Sequence, residues 1–313
     1  MRQFIETYGT AVAGAAIVLF FVLFAPKFAT PANIVNVLKD TSFLAIMGLG
    51  FTLALIVSEL DLSIAEVASL AAVTCGALVH SGYPPIVAVG AALALGLAAG
   101  AFNGFGVTKL KIPSLIMTLG TAAVAKGLGY MLTQGVAFVG RWPTEFTGIA
   151  RGALFGVPYL LIWMLLAAGA AYVLVAWTRT GAHMTATGEA VEAARLSGVA
   201  TGRMKRLGLT LSGGLAAVTA VLLAANLSSA APSMAGDYFL YAIAAVLLGM
   251  TMFRPGHANV PGTIFAAFVL KALGNGLVLM GVAYYWQDII LGLIIIGSVA
   301  FSASVSKKVA FTV

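Results

Sequence analysis

Long apolar stretches recur along this sequence and are separated by short polar connections. A helix that crosses a bilayer needs roughly 20 mostly apolar residues. The pattern therefore predicts an all-α integral membrane protein of about ten transmembrane helices. The third stretch is interrupted by polar residues and the eighth is short, so a count of nine to eleven fits the sequence. The predicted segments are 8–25, 41–58, 64–80, 85–107, 113–132, 157–177, 207–226, 238–252, 260–281 and 286–303.

Two parts of the chain resemble each other and indicate an internal repeat. Asp61 stands at the head of the third segment and Asp237 at the head of the eighth. Asn103-Gly104 lies 42 residues after the first aspartate, and Asn275-Gly276 lies 38 residues after the second. The two units are five segments apart and run in opposite directions, so we predict an inverted repeat relating helices 2–5 to helices 7–10. Transporters built in this way place the solute path at the repeat interface.

Basic residues fall unevenly on the two sides of the predicted membrane domain. With the N-terminus in the cytoplasm, eleven lie on the cytoplasmic side and four on the outer side. This is the bias that the positive-inside rule predicts, and an even number of spans also places the C-terminus in the cytoplasm. The cytoplasmic set is Arg2, Lys109, Lys111, Arg179, Arg195, Arg203, Lys205, Arg206, Arg254, Lys307 and Lys308; the outer set is Lys27, Lys39, Arg141 and Arg151.

Composition supports the membrane assignment and excludes other classes. Hydrophobic residues make up 61% of the 313 residues and charged residues only 9%, whereas soluble domains carry about 25% charged residues. The net charge of +7 does not indicate a nucleic-acid partner, because the basic residues are scattered rather than gathered with aromatics on one face.

The sequence carries no signature of catalysis or of a bound metal. It has no Gly-x-x-x-x-Gly-Lys-Ser/Thr loop, so we do not expect the chain itself to hydrolyse ATP. His80, His183 and His257 lack the spacing of metal ligands. The single Cys75 lies in an apolar run and is best read as a packing residue. We therefore expect a transport subunit, with no enzyme activity and no cofactor of its own, rather than a membrane-embedded enzyme.

The longest predicted cytoplasmic loop covers residues 179–206. Glu189 to Leu196 are reasonable or good helix formers. Thr187 is placed to cap the start of a two-turn helix, and Gly198 to end it. Such an element is either a plain connector or a docking site for a soluble motor, and these two readings stay open on helix propensity alone.

Four motifs resemble those of the ribose-type ABC importer permeases, the monosaccharide permease family with a Glu-Ala-Ala-like coupling loop. The likeness runs from about Phe51 to Ala303. Ala190 stands where that family usually has Asn, and Glu59 and Glu66 stand where it usually has Gly. The matching residues are Gly188, Glu192, Ala193, Ala194, Ser197 and Gly198 in the coupling loop, Asp61-Leu62-Ser63, the run 112–120 that begins Ile-Pro-Ser, and the run 255–263 that begins Pro-Gly-His.

The resemblance implies a multi-subunit importer with a type II ABC importer fold. Residues 1–313 would form a single transmembrane permease domain in the bacterial inner membrane, surrounded by lipid. Its expected partners are a second permease subunit, either identical or a paralogue, an ATP-binding cassette subunit that holds ATP and Mg, and a periplasmic substrate-binding protein. The coupling residues it implies are Gly188, Glu189, Glu192, Ala193, Ala194, Ser197 and Gly198.

The solute implied is a monosaccharide-like sugar. The alternatives are a nucleoside, an autoinducer or a branched-chain amino acid carried by the same importer class. An ion-coupled secondary transporter would explain the repeat equally well, although it would not explain the coupling motif.

Six polar residues near predicted helix ends are candidates for the translocation path. Ser63 and Glu66 also fit a capping box, and the asparagines also fit hydrogen bonds across helices. Lys271, in the ninth segment, is expected to have a carboxylate partner or a place on the path. The six candidates are Asp61, Ser63, Asn103, Thr118, Asp237 and Asn275.

Overall fold

The computed structural model describes residues 2–305, with side chains from residue 8 to residue 300, and within these the chain is almost entirely helical. Each of the ten predicted segments corresponds to one helix. Three further helices, α6, α8 and α9, lie between them. The helices are α1 (Arg2–Phe24), α2 (Pro31–Ile56), α3 (Ile64–His80), α4 (Pro85–Thr108), α5 (Ser114–Thr133), α6 (Thr144–Arg151), α7 (Tyr159–Trp177), α8 (Arg179–Glu189), α9 (Val191–Leu196), α10 (Thr201–Leu227), α11 (Tyr238–Gly249), α12 (Val260–Leu279) and α13 (Tyr285–Val305).

Six of these helices, α2, α4, α5, α7, α10 and α12, are long and apolar enough to cross a membrane. Four shorter apolar segments lie in α1, α3, α11 and α13. The chain is thus an all-α multi-pass membrane protein. α2 and α10 are its central helices, because 67% of the apolar stretch of each is buried inside the protein, compared with 22% for α4 and α7.

The second helix is longer than the sequence predicts. The predicted segment begins at residue 41, but α2 begins at Pro31 and continues for 26 residues to Ile56. Proline at the first helical position suits a helix start, since its missing N–H is unpaired there in any case. The predicted start was too late because Lys39 and Asp40 interrupt the hydrophobic pattern without interrupting the helix.

α4 and α10 approach closely through glycines. Gly96, Gly100 and Gly104 repeat every four residues on the buried stripe of α4. A Cβ at Gly96 would collide with the carbonyl oxygen of Gly213, and a Cβ at Gly104 would lie 2.9 Å from the Arg206 Cα. Small residues at this spacing let two membrane helices pack backbone to backbone.

The packing pattern pairs each central helix with the other half of the chain. α10 packs on α3 and α4, and α2 packs in the same way on α11 and α12. α3 also contacts α4 and α5, as α11 contacts α12 and α13. The two central helices meet each other where a Cβ at Gly50 would lie 3.0 Å from the Ser212 carbonyl oxygen. Helices 2–5 of the predicted repeat are α2 to α5, and helices 7–10 are α10 to α13. The two sets therefore make corresponding contacts.

The connections segregate onto two sides of the bundle. One side carries α8, α9 and the 250–259 turn, and we call it the α9 side. The other, the strand side, carries α6 and two small antiparallel pairs, β1 (Phe138–Val139) with β4 (Ser229–Ala230) and β2 (Ala153–Leu154) with β3 (Val157–Pro158). This agrees with the predicted alternation of loops. The side chain of Arg2 and the pair Lys307-Lys308, used to place both termini in the cytoplasm, lie outside the described residues.

Candidate functional site

The two shortest apolar helices, α3 and α11, occupy corresponding positions in the two halves, with 17 and 12 residues. The segment leading into α11 runs along the first turns of α3. The Ser233 hydroxyl donates to Glu66 Oε2 at 3.1 Å, and the Ala235 N–H donates to the Ser69 hydroxyl at 3.0 Å. Short interrupted segments at matching positions are the sequence feature that most often marks a transporter's solute site.

The predicted capping box at the start of α3 was wrong. Ser63 has helical backbone angles (φ −85°, ψ −11°) and makes no side-chain cap bond. Glu66 instead accepts from Ser233, a residue 167 positions away. The tertiary contact therefore replaces the local one that the spacing suggested.

A buried hydrogen-bond network surrounds the entry to α3. Asp61 Oδ1 accepts the Ser63 N–H at 3.1 Å and the Ser63 hydroxyl at 2.5 Å. Asn103 on α4 donates to Ser63 Oγ at 2.9 Å, and Thr121 on α5 donates to Asn103 Oδ1 at 2.6 Å. Asp61, Ser63 and Asn103 are each at most 1% exposed. The network joins three helices around one carboxylate.

Thr118 joins the same region through the backbone. Its hydroxyl oxygen accepts a hydrogen bond from the Leu62 N–H at 3.1 Å. The same hydroxyl lies within donating distance of the carbonyl oxygens of Leu60 and Ser114. The Ser114 hydroxyl accepts the Leu60 N–H at 3.3 Å. Four of the six predicted path residues, Asp61, Ser63, Asn103 and Thr118, are therefore neighbours in one cluster.

One oxygen of this cluster has unused bonding capacity. Within the described part of the chain, Asp61 Oδ2 and the Ser212 hydroxyl on α10 are both buried without a hydrogen-bond partner of good geometry. Ser212 nevertheless lies close enough to act on the Asp61 carboxyl group. Buried polar atoms without partners are unfavourable, so such atoms in a transporter core are candidates for contact with water or solute. Ser212 was not among the residues predicted from the sequence, where its only signal is a hydroxyl within an apolar span.

The other two predicted path residues lie elsewhere. Asn275 on α12 exchanges two amide hydrogen bonds with Asn33 on α2, at 2.8 and 3.0 Å. This is the hydrogen bond across helices that was the alternative to a path role for Asn275. Asn275 therefore does not occupy the environment of Asn103, its predicted repeat counterpart.

Asp237 is exposed at the head of α11 and lies in a second polar group centred on Lys271. The Lys271 ammonium is 4.7 Å from the ring centre of Tyr238 and 4.8 Å from that of Tyr241. Asp237 and Asp40 are near enough to act on its charge. No described carboxylate forms an ion pair with it within 4.0 Å, so the direct partners of Lys271 are aromatic faces rather than the carboxylate we expected.

The predicted coupling loop consists of two helices rather than one. α8 ends at Glu189, Ala190 has an extended φ of −155°, and α9 follows. The predicted cap at Thr187 was wrong, because this residue is buried within α8 and donates to the His183 carbonyl at 2.7 Å. Glu189 belongs to the end of α8, where its carboxylate lies 3.4 Å from His257 Nε2.

The predicted stop at Gly198 is confirmed. Its φ is +84°, a left-handed conformation that favours glycine. The Gly198 N–H donates to Arg195 O and the Val199 N–H to Ala194 O, both at 3.0 Å. These are the two bonds of a Schellman motif. α9 buries Ala194 and presents an exposed face formed by Glu192, Ala193, Leu196 and Ser197.

Gly188 attaches this region to the membrane domain. A Cβ at Gly188 would collide with the carbonyl oxygen of Ile56, the last residue of α2, and the Ser58 hydroxyl donates to Gly188 O at 2.7 Å. A side chain at this position would therefore separate α8 from the end of a central helix.

A cavity of about 380 Å³ lies between α9 and the Asp61 network. Val191, Glu192 and Arg195 line it on the α9 wall, and Glu59 and Ser114 line the opposite wall. Ser114 is the residue that holds the Leu60 N–H. α9 and residues next to the network thus line one polar cavity. No group of three or more potential metal ligands occurs among the described residues.

Comparison with known proteins gives one matching family over most of the chain. Residues 33–299 match the family described as branched-chain amino acid transport system / permease component. The chain is 36% identical to the ribose import permease protein RbsC of Escherichia coli strain K12 over 276 residues, which is 87% of this chain and 86% of that protein. Identity to RbsC of Bacillus subtilis strain 168 is 31% over 281 residues, covering 90% and 87% of the two chains.

A second group of relatives is named for a different cargo. The autoinducer 2 import system permease protein LsrC of Salmonella typhi is 29% identical over 304 residues, 96% of this chain and 87% of that protein. No solved structure matches the chain.

Proposed function

Because this chain belongs to the family of permease components that matches its residues 33–299, and is a ribose-type ABC importer permease, we propose that it forms the translocation path for a monosaccharide-like sugar. Identity of 36% to a ribose import permease over 87% of the chain is the observation that carries this choice of solute. The similarity to LsrC makes an autoinducer the second candidate. A nucleoside or a branched-chain amino acid is the less favoured cargo.

The membrane topology proposed is ten spans with both termini in the cytoplasm, and with the α9 side facing the cytoplasm. Four shorter apolar helices would supply the spans beyond the six that qualify by length. The corresponding contacts made by α2 and α10 support an inverted repeat of helices 2–5 and 7–10. Residues 1–313 would then be one permease domain, with the coupling segment 179–206 between the two repeats.

The solute path proposed passes the Asp61 network. A carboxylate with a free oxygen beside serine and threonine hydroxyls can accept hydrogen bonds from sugar hydroxyls. Asp61, Ser63, Asn103 and Thr118 would contact or position the solute near the α9 side. Asp237 would lie nearer the strand side, where the binding protein delivers its cargo.

The energy source proposed is an ATP-binding cassette subunit docked on the exposed face of α9. The chain is a permease component and not the catalytic subunit, so ATP and Mg would be held by that partner. Its motion would reach the path through Gly188 and the cavity between α9 and the network. A second permease subunit, identical or paralogous, and a periplasmic binding protein would complete the importer.

Purification of the tagged full chain from its host in detergent, with mass spectrometry of the proteins that accompany it, tests this assignment. An ATP-binding subunit and a periplasmic binding protein should come with it. The complex in liposomes should hydrolyse ATP faster when the binding protein carries ribose. A chain that purifies alone and moves sugar without ATP would contradict the proposal in favour of a secondary transporter.

A further inference from the structure

An open groove with a volume of about 530 Å³ runs along the surface of the helix bundle between α4 and α10. It is separate from the Asp61 network and from the cavity beneath α9. Six residues line it: Ala101 and Phe105 from α4, and Arg203, Arg206, Leu207 and Thr210 from α10.

The polarity of the groove changes along its length. Arg203 and Arg206 stand in the first two turns of α10, at the α9 side. Residue 210 lies about 10 Å beyond Arg203 along the helix, at 1.5 Å per residue. The deeper lining is apolar, because the Thr210 hydroxyl already donates to the Arg206 carbonyl at 2.8 Å. Phe105 is 48% exposed and forms one wall. The groove is thus basic where α10 begins and apolar toward the middle of the bundle.

The two guanidinium groups are available to a ligand. Neither forms an ion pair with a carboxylate of the described residues, and Arg206 makes only one weak bond, from Nε to the Gly202 carbonyl at 3.3 Å. Lys205, between them in sequence, instead turns to the opposite face and pairs with Glu59. Guanidinium groups bind phosphate through two parallel hydrogen bonds.

We propose that this groove binds an anionic phospholipid, with its phosphate on Arg203 and Arg206 and an acyl chain along Phe105, Leu207 and Ala101. Basic pockets between transmembrane helices at the membrane surface suit anionic headgroups. The order of charge and apolar surface, headgroup end first, matches the order within a phospholipid that lies parallel to α10. Gly100 and Gly104 place the two helix backbones in contact beside the groove.

Native mass spectrometry of the purified permease complex with phosphatidylglycerol or phosphatidylcholine tests the proposal. Phosphatidylglycerol should be retained by the unmodified protein. A charge near the surface contributes about 1 kcal/mol, so Arg203→Gln or Arg206→Gln should weaken retention about 5-fold, and the double variant about 30-fold. Arg254→Gln, an exposed arginine away from the groove, is the matched control and should retain the lipid fully.

A second variant fills the groove without changing its charge. Ala101→Trp should block the acyl-chain path and reduce phosphatidylglycerol retention, while Phe102→Ala, 59% exposed on α4 but outside the groove, should not. Equal retention by the Arg203/Arg206 double variant, or by Ala101→Trp, would overturn the proposal. The proposal would also be overturned if the double variant retained the lipid but lost a second permease copy or an ATP-binding subunit. The groove would then be a protein interface.

Discussion

The Lys205 ammonium lies 2.5 Å from Glu59 Oε1 and forms an ion pair between the start of α10 and the turn that leads to Asp61. The Glu59 side chain is 6% exposed and that of Lys205 is 24% exposed. Both line the cavity beneath α9. The pair therefore joins the central helix α10 to the turn that precedes the buried network, next to α9.

Loss of one partner of this pair should destabilise the protein. Removing one member of a buried pair costs about 3–5 kcal/mol because it leaves an uncompensated charge, and the partial exposure of Lys205 places Glu59→Gln at the lower end. Thermal unfolding in detergent measures the effect in a double-mutant cycle with Lys205→Met. The control is the Glu192–Arg195 pair, whose side chains are 71% and 67% exposed and whose coupling should be below about 1 kcal/mol. Equal coupling energies for the two pairs would contradict this account.

Gly188→Ala should uncouple α8 from α2. The added methyl group would meet the Ile56 carbonyl oxygen, and backbone cannot yield as a flexible side chain does. Overpacking of this kind costs about 1–3 kcal/mol. We expect loss of sugar-stimulated ATP hydrolysis in the reconstituted complex, and faster tryptic cleavage at Arg195. Gly202→Ala is the matched control, since its Cβ would lie 3.9 Å from Thr108 in ordinary contact.

The exposed face of α9 should be required for docking the motor. Glu192→Lys combined with Ala193→Arg reverses one charge and adds bulk at two exposed positions of α9, so the permease itself should fold and insert normally. Co-purification of the ATP-binding subunit and stimulated ATP hydrolysis should both be lost. The same change on the strand side, Thr144→Arg with Glu145→Lys, should leave both intact. Normal stimulated hydrolysis in the α9 variant would remove the coupling role.

Local features of this fold could be predicted from sequence, and long-range ones could not. Each of the ten predicted apolar segments coincides with a helix, because a long apolar run is itself a local signal. Gly198 was assigned correctly as a helix stop because its left-handed φ is a property of the backbone at one position. Thr187 and Glu66 were assigned wrongly. Each has a side chain suited to capping, but tertiary packing placed Thr187 inside α8 and Glu66 against Ser233.

In the candidate site, too, local features could be predicted from the sequence and long-range contacts could not. The Asn-Gly repeat drew attention to both Asn103 and Asn275, but only Asn103 lies in the Asp61 network. Asn275 pairs with Asn33, a residue 242 positions away that no local pattern connects to it. Ser212 reaches the network only because α10 of the second half packs on α3 and α4 of the first. Such contacts follow from the arrangement of the helices and not from the spacing of residues along the chain.

The two asparagines should therefore respond differently to substitution. Asn103→Leu leaves Ser63 without its amide donor in a fully buried site, and a buried group left unsatisfied costs about 1–3 kcal/mol; sugar transport should be lost with it. Asn275→Leu should lower the melting temperature only. The double variant Asn33→Leu/Asn275→Leu should restore it, since replacing both partners by apolar groups is nearly neutral. Transport assays and melting curves on the same proteoliposomes separate the two cases.

The tyrosines around Lys271 test whether its charge is held by aromatic faces. A cation over a ring gains about 0.5–2 kcal/mol, more when water is excluded, and a phenylalanine ring supplies a similar face. Tyr238→Phe should therefore keep the melting temperature close to that of the unmodified protein, whereas Tyr238→Leu should lower it. In a Lys271→Met background the difference between the two variants should vanish, because no cation remains to be held. Equal destabilisation by Tyr238→Phe and Tyr238→Leu in the presence of Lys271 would contradict this account. The loss of stability would then come from the tyrosine hydroxyl or from side-chain packing. The lysine charge would be held by the nearby Asp237 and Asp40 instead.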